Sequence, residues 1–311
     1  MNDWRTSTPD ALAPIFAKID RASSHLADLQ AACKEFGESD FYEIETYLPE
    51  KGRVVGRSVN VKPPGPDIGA LIGDLVHGVR SALDQLVFQL ATAESGPLSE
   101  RVAKDSAFPI FKTGPRYRGE AGRGHGKGRG AAYKIRGLSK PVQASIERLQ
   151  PFHRRKHPLL WALWMLEELS NIDKHRLIPL TGALPAEASM AIKFNRPIQR
   201  FGKTDFPGPI EEGRPLIQLR GDFVSSDDVE IEANITPSVI FDKRCDPACV
   251  RRWPISGVID GIFHALALHV FPELNPHIRG YFGTGINFAY GPPADAHNVV
   301  PGGLPPAALT P

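Results

Sequence analysis

Two groups of side chains have the types and spacing for acid–base or phosphate chemistry. The first is His77, Arg80 and Asp84. Steps of three and four residues place them on one face of a helix, beside its apolar arc rather than opposite it. Semi-buried there, Arg80 and Asp84 are expected to pair, either to order the helix or to serve a site. The second group is Glu167, Glu168, Asn171, Asp173, Lys174, His175 and Arg176, which closes an apolar helix. If that helix continues, Glu168, Asn171 and His175 share a face. Lys174, His175 and Arg176 also suit a helix C-terminus electrostatically. Were the two helices to pack together, His77, Arg80 and Asp84 would meet Asn171, Lys174 and His175. Such a cluster would hold phosphate or act as acid and base.

Other motifs are poorer in chemistry. Cys245 and Cys249 have half the spacing of a zinc site and no second pair, and His264 and His269 fall off one helical face, so no metal is expected. No cofactor motif is present: around Lys127, Ala121 replaces the first glycine of a phosphate loop and Gly128 its Ser/Thr. There is no Gly-x-Ser-x-Gly and no His-Glu-x-x-His. Trp161 and Trp164 lie in an apolar run and read as core.

The elements that must position these residues follow from periodicity. Residues 9–36 read as a helix, and 41–48 with 53–61 as a β-hairpin. Residues 67–93 form the clearest helix, with Asp67 at its start and Ile68, Leu71, Ile72, Leu75, Val76, Val79, Leu83, Leu86, Val87 and Leu90 on one arc. Shorter helices are expected at 139–149 and 158–171, and a last one near 254–270. Between them, strand-like runs occur at 188–194, 215–220, 228–236 and 238–241. This order is α+β. A helical core with an inserted hairpin spans 1–180, a β-rich section with a terminal helix 181–289, and a disordered Pro/Gly/Ala-rich tail 290–311. The two folded parts could pack as one domain through the last helix.

Charge is unevenly distributed along the 311 residues. Residues 101–160 hold 15 Lys/Arg and 3 Asp/Glu, a net of +12, whereas the remaining 251 residues hold 22 and 32, a net of −10. The excess includes Arg116, Arg118, Arg123, Lys127 and Arg129 in a Gly/Arg-rich stretch, 112–132, expected to be a mobile loop, and Arg154, Arg155 and Lys156 beyond it. Such a segment either meets a polyanion or is neutralised by the acidic remainder of the chain. Three cysteines make no disulfide framework, the first ten residues carry no signal-peptide pattern, and the apolar run 159–166 is too short to span a bilayer. A soluble cytoplasmic protein without a membrane partner is expected.

Several stretches together resemble a family of uncharacterised bacterial proteins: Gly73-Asp-Leu-Val-His-Gly-Val-Arg-Ser-Ala-Leu-Asp-Gln85, Ala107-Phe-Pro-Ile-Phe111, Ile135-Arg-Gly-Leu-Ser139, Leu149-Gln-Pro-Phe152 and Asn171-Ile-Asp-Lys-His-Arg176. The resemblance covers about residues 66–180 and implies no known activity. Within it, Arg80-Ser-Ala-Leu-Asp84-Gln85 resembles the Arg-x4–6-His motif of the HEPN superfamily, helical bundles that include many ribonucleases. The resemblance implies that Arg80 contacts phosphate. Gln85 stands where the histidine belongs, so the site is either inactive or completed by His77 or His175. The implied function is RNA binding, with a ribonuclease site that is intact or degenerate. It would use His77, Arg80, Asp84, Lys174 and His175 with the basic segment on the phosphate backbone. Two other readings remain open: a non-catalytic interaction or regulatory module, and a small-molecule enzyme built on 171–176.

Overall fold

The computed structural model describes residues 10–120, 130–153, 161–184, 190–233, 237–242, 254–286 and 288. The fold is α+β, about 52% helix and 20% strand. It divides into two units, neither continuous in sequence. One gathers the chain up to Ala27, Leu71–Leu177 and the chain from Ser256; the other holds Asp28–Ala70 and Ile178–Ile255. The helical part therefore gives up the hairpin to the β-rich part and takes back the last helix.

The helical unit is built on α1 (Ala13–Gly37) and α2 (Pro66–Ser95), each of which also extends into the other unit. The apolar arc of α2 is buried: Ile68, Ile72, Leu75, Val76, Val79, Leu83, Leu86, Val87 and Leu90 are all at most 2% exposed. Gly96, at φ +74°, ends the helix in the left-handed conformation that a Cβ would oppose. Where α1 crosses α2 the contact residues are small, Ala22 against Gly78, and Lys18 Nζ donates to Ser81 Oγ at 2.7 Å.

Shorter helices follow: α3 (Glu100–Asp105), α4 (Gly114–Tyr117), α5 (Gly130–Lys134) and α6 (Lys140–Arg148). Two of them fall in the stretch expected to be a mobile loop. That expectation is corrected at both ends, because Tyr117 is buried and stacks edge-on with Phe111 and Phe152, at centroid distances of 5.9 and 5.7 Å. One buried aromatic supplies apolar area that the glycine-rich composition concealed. Residues 121–129 lie outside the described residues.

Helix α7 (Trp161–Asp173) buries Trp161, Leu163, Met165, Leu166 and Leu169. The last helix runs further than its periodicity indicates. Helix α8 (Ile255–Ala265) passes through a π turn, Leu266–Val270, into α9 (Phe271–Phe282), which ends on Gly283 at φ +72°. The π turn shifts the apolar face, so a reading at one period loses it after residue 270. By length and hydropathy (1.4), Ile255–Phe282 resembles a membrane span, yet 61% of that window is buried within the protein.

The other unit is antiparallel β. Strands β1 (Glu43–Glu50) and β2 (Arg53–Val59) form the hairpin; β3 (Leu180–Leu184), β4 (Met190–Phe194), β5 (Phe201–Asp205), β6 (Gly208–Pro209), β7 (Pro215–Gly221), β8 (Val229–Ala233) and β9 (Ser238–Phe241) follow. They form sheets ordered β1-β2-β7-β5, β6-β3-β9 and β4-β8. Their core contains Phe41, Val54, Ile217, Leu219, Phe223 and Ile231. Gly182 is required in β3, since a Cβ there would lie 2.4 Å from the Phe41 ring.

Candidate functional site

The polar centre of the helical unit is Arg80. Its side chain is 10% exposed and reaches three oxygens: Nη2 donates to the Phe108 carbonyl at 2.7 Å, Nη2 also lies 3.3 Å from Asp84 Oδ1, and Nη1 lies 3.4 Å from Glu167 Oε2. Nη1 makes no well-directed hydrogen bond among the described residues. Asp84 Oδ1 accepts from the Phe108 N–H at 2.8 Å. The i,i+4 pair on α2 thus grips both backbone groups of one residue, and α7 supplies the second carboxylate.

Gln150, fully buried after α6, continues this grip along the segment 107–111. Its amide donates to the Pro109 carbonyl at 2.8 Å and the Ile146 carbonyl at 3.0 Å, and its oxygen accepts from Phe111 N–H at 3.0 Å. The Ala107 N–H donates to the Lys134 carbonyl at 3.4 Å. Residues 107–111 belong to no strand, and Phe108, Pro109 and Ile110 are buried. Their backbone groups could not be left bare, and side chains occupy the place of a partner strand.

The charges around Arg80 shape one another. Burial pushes the Asp84 carboxyl above its usual range, against the pull of Arg80 and the Phe108 N–H. Burial pulls the Lys134 ammonium below its usual range, and Arg80 adds to this while Glu167 and Asp84 oppose it. Lys134 Nζ also lies 5.9 Å from the Phe111 ring centroid. These shifts accompany a packed ion network, which perturbs titration as a catalytic cleft does.

The two apolar helices do meet. Glu167 reaches Arg80, and a Cβ on Gly73 would stand 2.2 Å from Asp173 Oδ1, so α7 runs antiparallel to α2. This pairing gathers Arg80, Asp84 and Glu167. It does not gather the imidazoles: His77 is exposed on α2, and Lys174 and His175 are exposed beyond the end of α7. The helix expected to reach residue 171 runs to Asp173 and does not continue through His175: a turn follows, with the N–H groups of His175 and Arg176 both donating to the Ile172 carbonyl. Lys174 remains within electrostatic reach of Lys134.

Basic residues of the expected interface divide between surface and pairing. Arg116 and Lys112 are exposed, with Lys112 Nζ 4.2 Å from the Trp164 ring centroid. Arg118 is tied to Glu120 at 2.7 Å, Arg136 to Asp105 at 2.6 Å and Arg148 to Glu273 at 2.6 Å. Arg123, Lys127, Arg129, Arg154, Arg155 and Lys156 lie outside the described residues, as do Cys245 and Cys249. Among the described residues no cluster of three His, Cys, Asp or Glu has metal-binding proximity.

Periodicity had no means of assigning Lys134, Gln150 and the Phe108 backbone to this centre. The linked occurrence of Ala107–Phe111 and Leu149–Phe152 with the α2 motif was the available signal, since all three contribute to one hydrogen-bonded cluster. Compared with family models, curated proteins and solved structures, the chain has no match.

Proposed function

We propose that this chain is a non-catalytic binding module. In this reading the polar residues of α2 and α7 hold the helical unit together, and the basic segment 112–156 binds a polyanion such as RNA. The observation that supports it is the occupation of Arg80. A guanidinium that donates to a main-chain carbonyl and faces two carboxylates has little left for an incoming phosphate, and no described imidazole stands beside it. The ribonuclease role implied by the HEPN resemblance needs both groups free. The polyanion part of the reading draws on the net +12 of residues 101–160 and on exposed Lys112 and Arg116, with Trp164 beneath the lysine.

The test is binding and integrity of a labelled single-stranded RNA across a salt series. Binding that weakens linearly in log salt, with the RNA left intact, is the expected result. Deleting residues 121–129 removes Arg123, Lys127 and Arg129. That deletion should lower the slope by about 2, at roughly 0.7 for each phosphate no longer neutralised. RNA cleavage that disappears in folded His77→Ala or His175→Ala would replace this reading with the ribonuclease. Absence of salt-dependent binding would remove the polyanion and leave a protein-interaction module.

A further inference from the structure

We infer that the outer face of the four-stranded sheet binds a small ligand, a single flat ring bearing an anionic group. The register places Tyr47, Val55 and Gln218 in one row across β1, β2 and β7, on the face opposite Val54 and Leu219, with Val55 buried at the base of that row. With Arg53, Phe206 and Arg214 they line a pocket of about 210 Å³. Pockets for drug-sized molecules span about 300–1,000 Å³, so this one is sized for a single ring and one substituent.

The chemistry of the lining selects the ligand. Val55 supplies an apolar floor, Tyr47 and Phe206 supply ring faces or edges, and Gln218 supplies an amide donor and acceptor. Two guanidiniums are present and no lining residue is acidic. Much of the wall is held in place. Arg57 lies 5.0 Å from the Tyr47 ring centroid and is itself fixed by Glu45 at 2.6 Å. The Phe206 N–H donates to the Leu216 carbonyl at 2.8 Å. Arg214 donates to the carbonyls of Pro207 and Pro209, which fixes its charge at the rim. Arg53 differs: Nη1 donates to the exposed Glu50 carboxylate at 3.4 Å, while its Nε, shielded from solvent, has no hydrogen-bond partner among the described residues. An under-used guanidinium beside aromatic walls is a receptor for a carboxylate or phosphate attached to a ring. The inference is independent of the polyanion reading, because every residue it uses belongs to the β unit.

Three probes test it on the whole chain by ligand-observed NMR titration: benzoate, phenyl phosphate and neutral benzyl alcohol. Saturable binding of at least one anion is expected, with benzyl alcohol roughly tenfold or more weaker, the loss of one charge-assisted contact. Tighter benzoate identifies an aromatic carboxylate as the preferred chemistry; tighter phenyl phosphate identifies an aryl phosphate. Arg53→Gln should weaken the better anion by a similar factor, and Val55→Phe should fill the pocket and abolish binding. Should Val55→Phe fail to fold, as judged by circular dichroism, Phe206→Ala takes its place. The inference is overturned if neither anion saturates, if benzyl alcohol binds as well as the anions, or if folded Arg53→Gln binds like wild type.

Discussion

Replacing Arg80 by alanine should unfold the helical unit far more readily while removing no chemistry. The change strips a donor from the buried Phe108 carbonyl and leaves Asp84 and Glu167 facing each other without their cation. Removing one partner of a buried ion pair costs roughly 3–5 kcal/mol. The carboxylate side chains are 34% and 24% exposed, so water can partly resolvate them. That places the expected loss at the low end, about 3 kcal/mol, with the orphaned carbonyl included. With a urea slope of about 2 kcal/mol per molar, the midpoint should fall by about 1.5 M. Urea unfolding followed by the helical circular dichroism band measures this. His77→Ala and His175→Ala, both at exposed positions, serve as controls and should stay within about 0.5 kcal/mol of wild type. A loss of under about 1 kcal/mol for Arg80→Ala would refute the structural assignment of this arginine. So would an effect of equal size at His175.

Three further outcomes follow from the same network. Gln150→Leu keeps the volume but strips partners from Pro109, Ile146 and Phe111, and should cost about 3 kcal/mol in the same urea assay. Gly73→Ala places a methyl against the Asp173 carboxylate, which offsets its gain in helix propensity. Combining it with Asp173→Ala should release that gain, leaving the double variant about 1 kcal/mol more stable than Asp173→Ala alone by thermal unfolding. Because burial raises the folded-state pKa of Asp84, its contribution to stability is fully present below the usual value of 3.8 and is lost as pH rises through the raised one. The stability of wild type relative to Asp84→Asn should therefore decline from pH 4 toward neutrality, and urea midpoints that diverge the other way would contradict the desolvation of this carboxyl.

The main elements were legible in the sequence because their burial is one-sided. The arc of α2 from Ile68 to Leu90 has a single period, and the hairpin of β1 and β2 brackets a turn at Gly52. Where burial is not one-sided, legibility fails. Strand β3 begins just after Pro179 and holds only five residues, with Gly182 at their centre, so it gives little alternation to read. Helix α9 follows a π turn that breaks the period. Helices α4 and α5 are four and five residues long, too short to show a period, and α4 is held through Tyr117 by Phe111 just before it and Phe152 further along the chain. The linear division near residue 180 missed that β2 pairs with β7, far along the chain, because strand pairing leaves no local trace.

The candidate site shows a sharper limit. Spacing placed Arg80 and Asp84 on one face, and apolarity brought α7 against α2; both statements concern single helices. The partner that decides the role of Arg80 is a main-chain carbonyl, and every residue has one, so no residue type marks Phe108 as its acceptor. Histidines near an arginine in sequence suggest chemistry, yet the face they take and the point at which the helix ends decide where they lie. With α7 closing at Asp173, His175 lies in the turn beyond it, while Glu167 reaches Arg80 from within the helix. Were α7 extended by one further turn, His175 would stand about 80° round the helix from Glu167 and in line with Glu168, whose Oε1 accepts from Trp164 Nε1 at 2.9 Å. An imidazole on that stripe would lie beyond Asp173, which already stands opposite Gly73, and so away from Arg80; the clamp is set by Asp84, Glu167 and the Phe108 carbonyl and does not depend on the turn at Ile172.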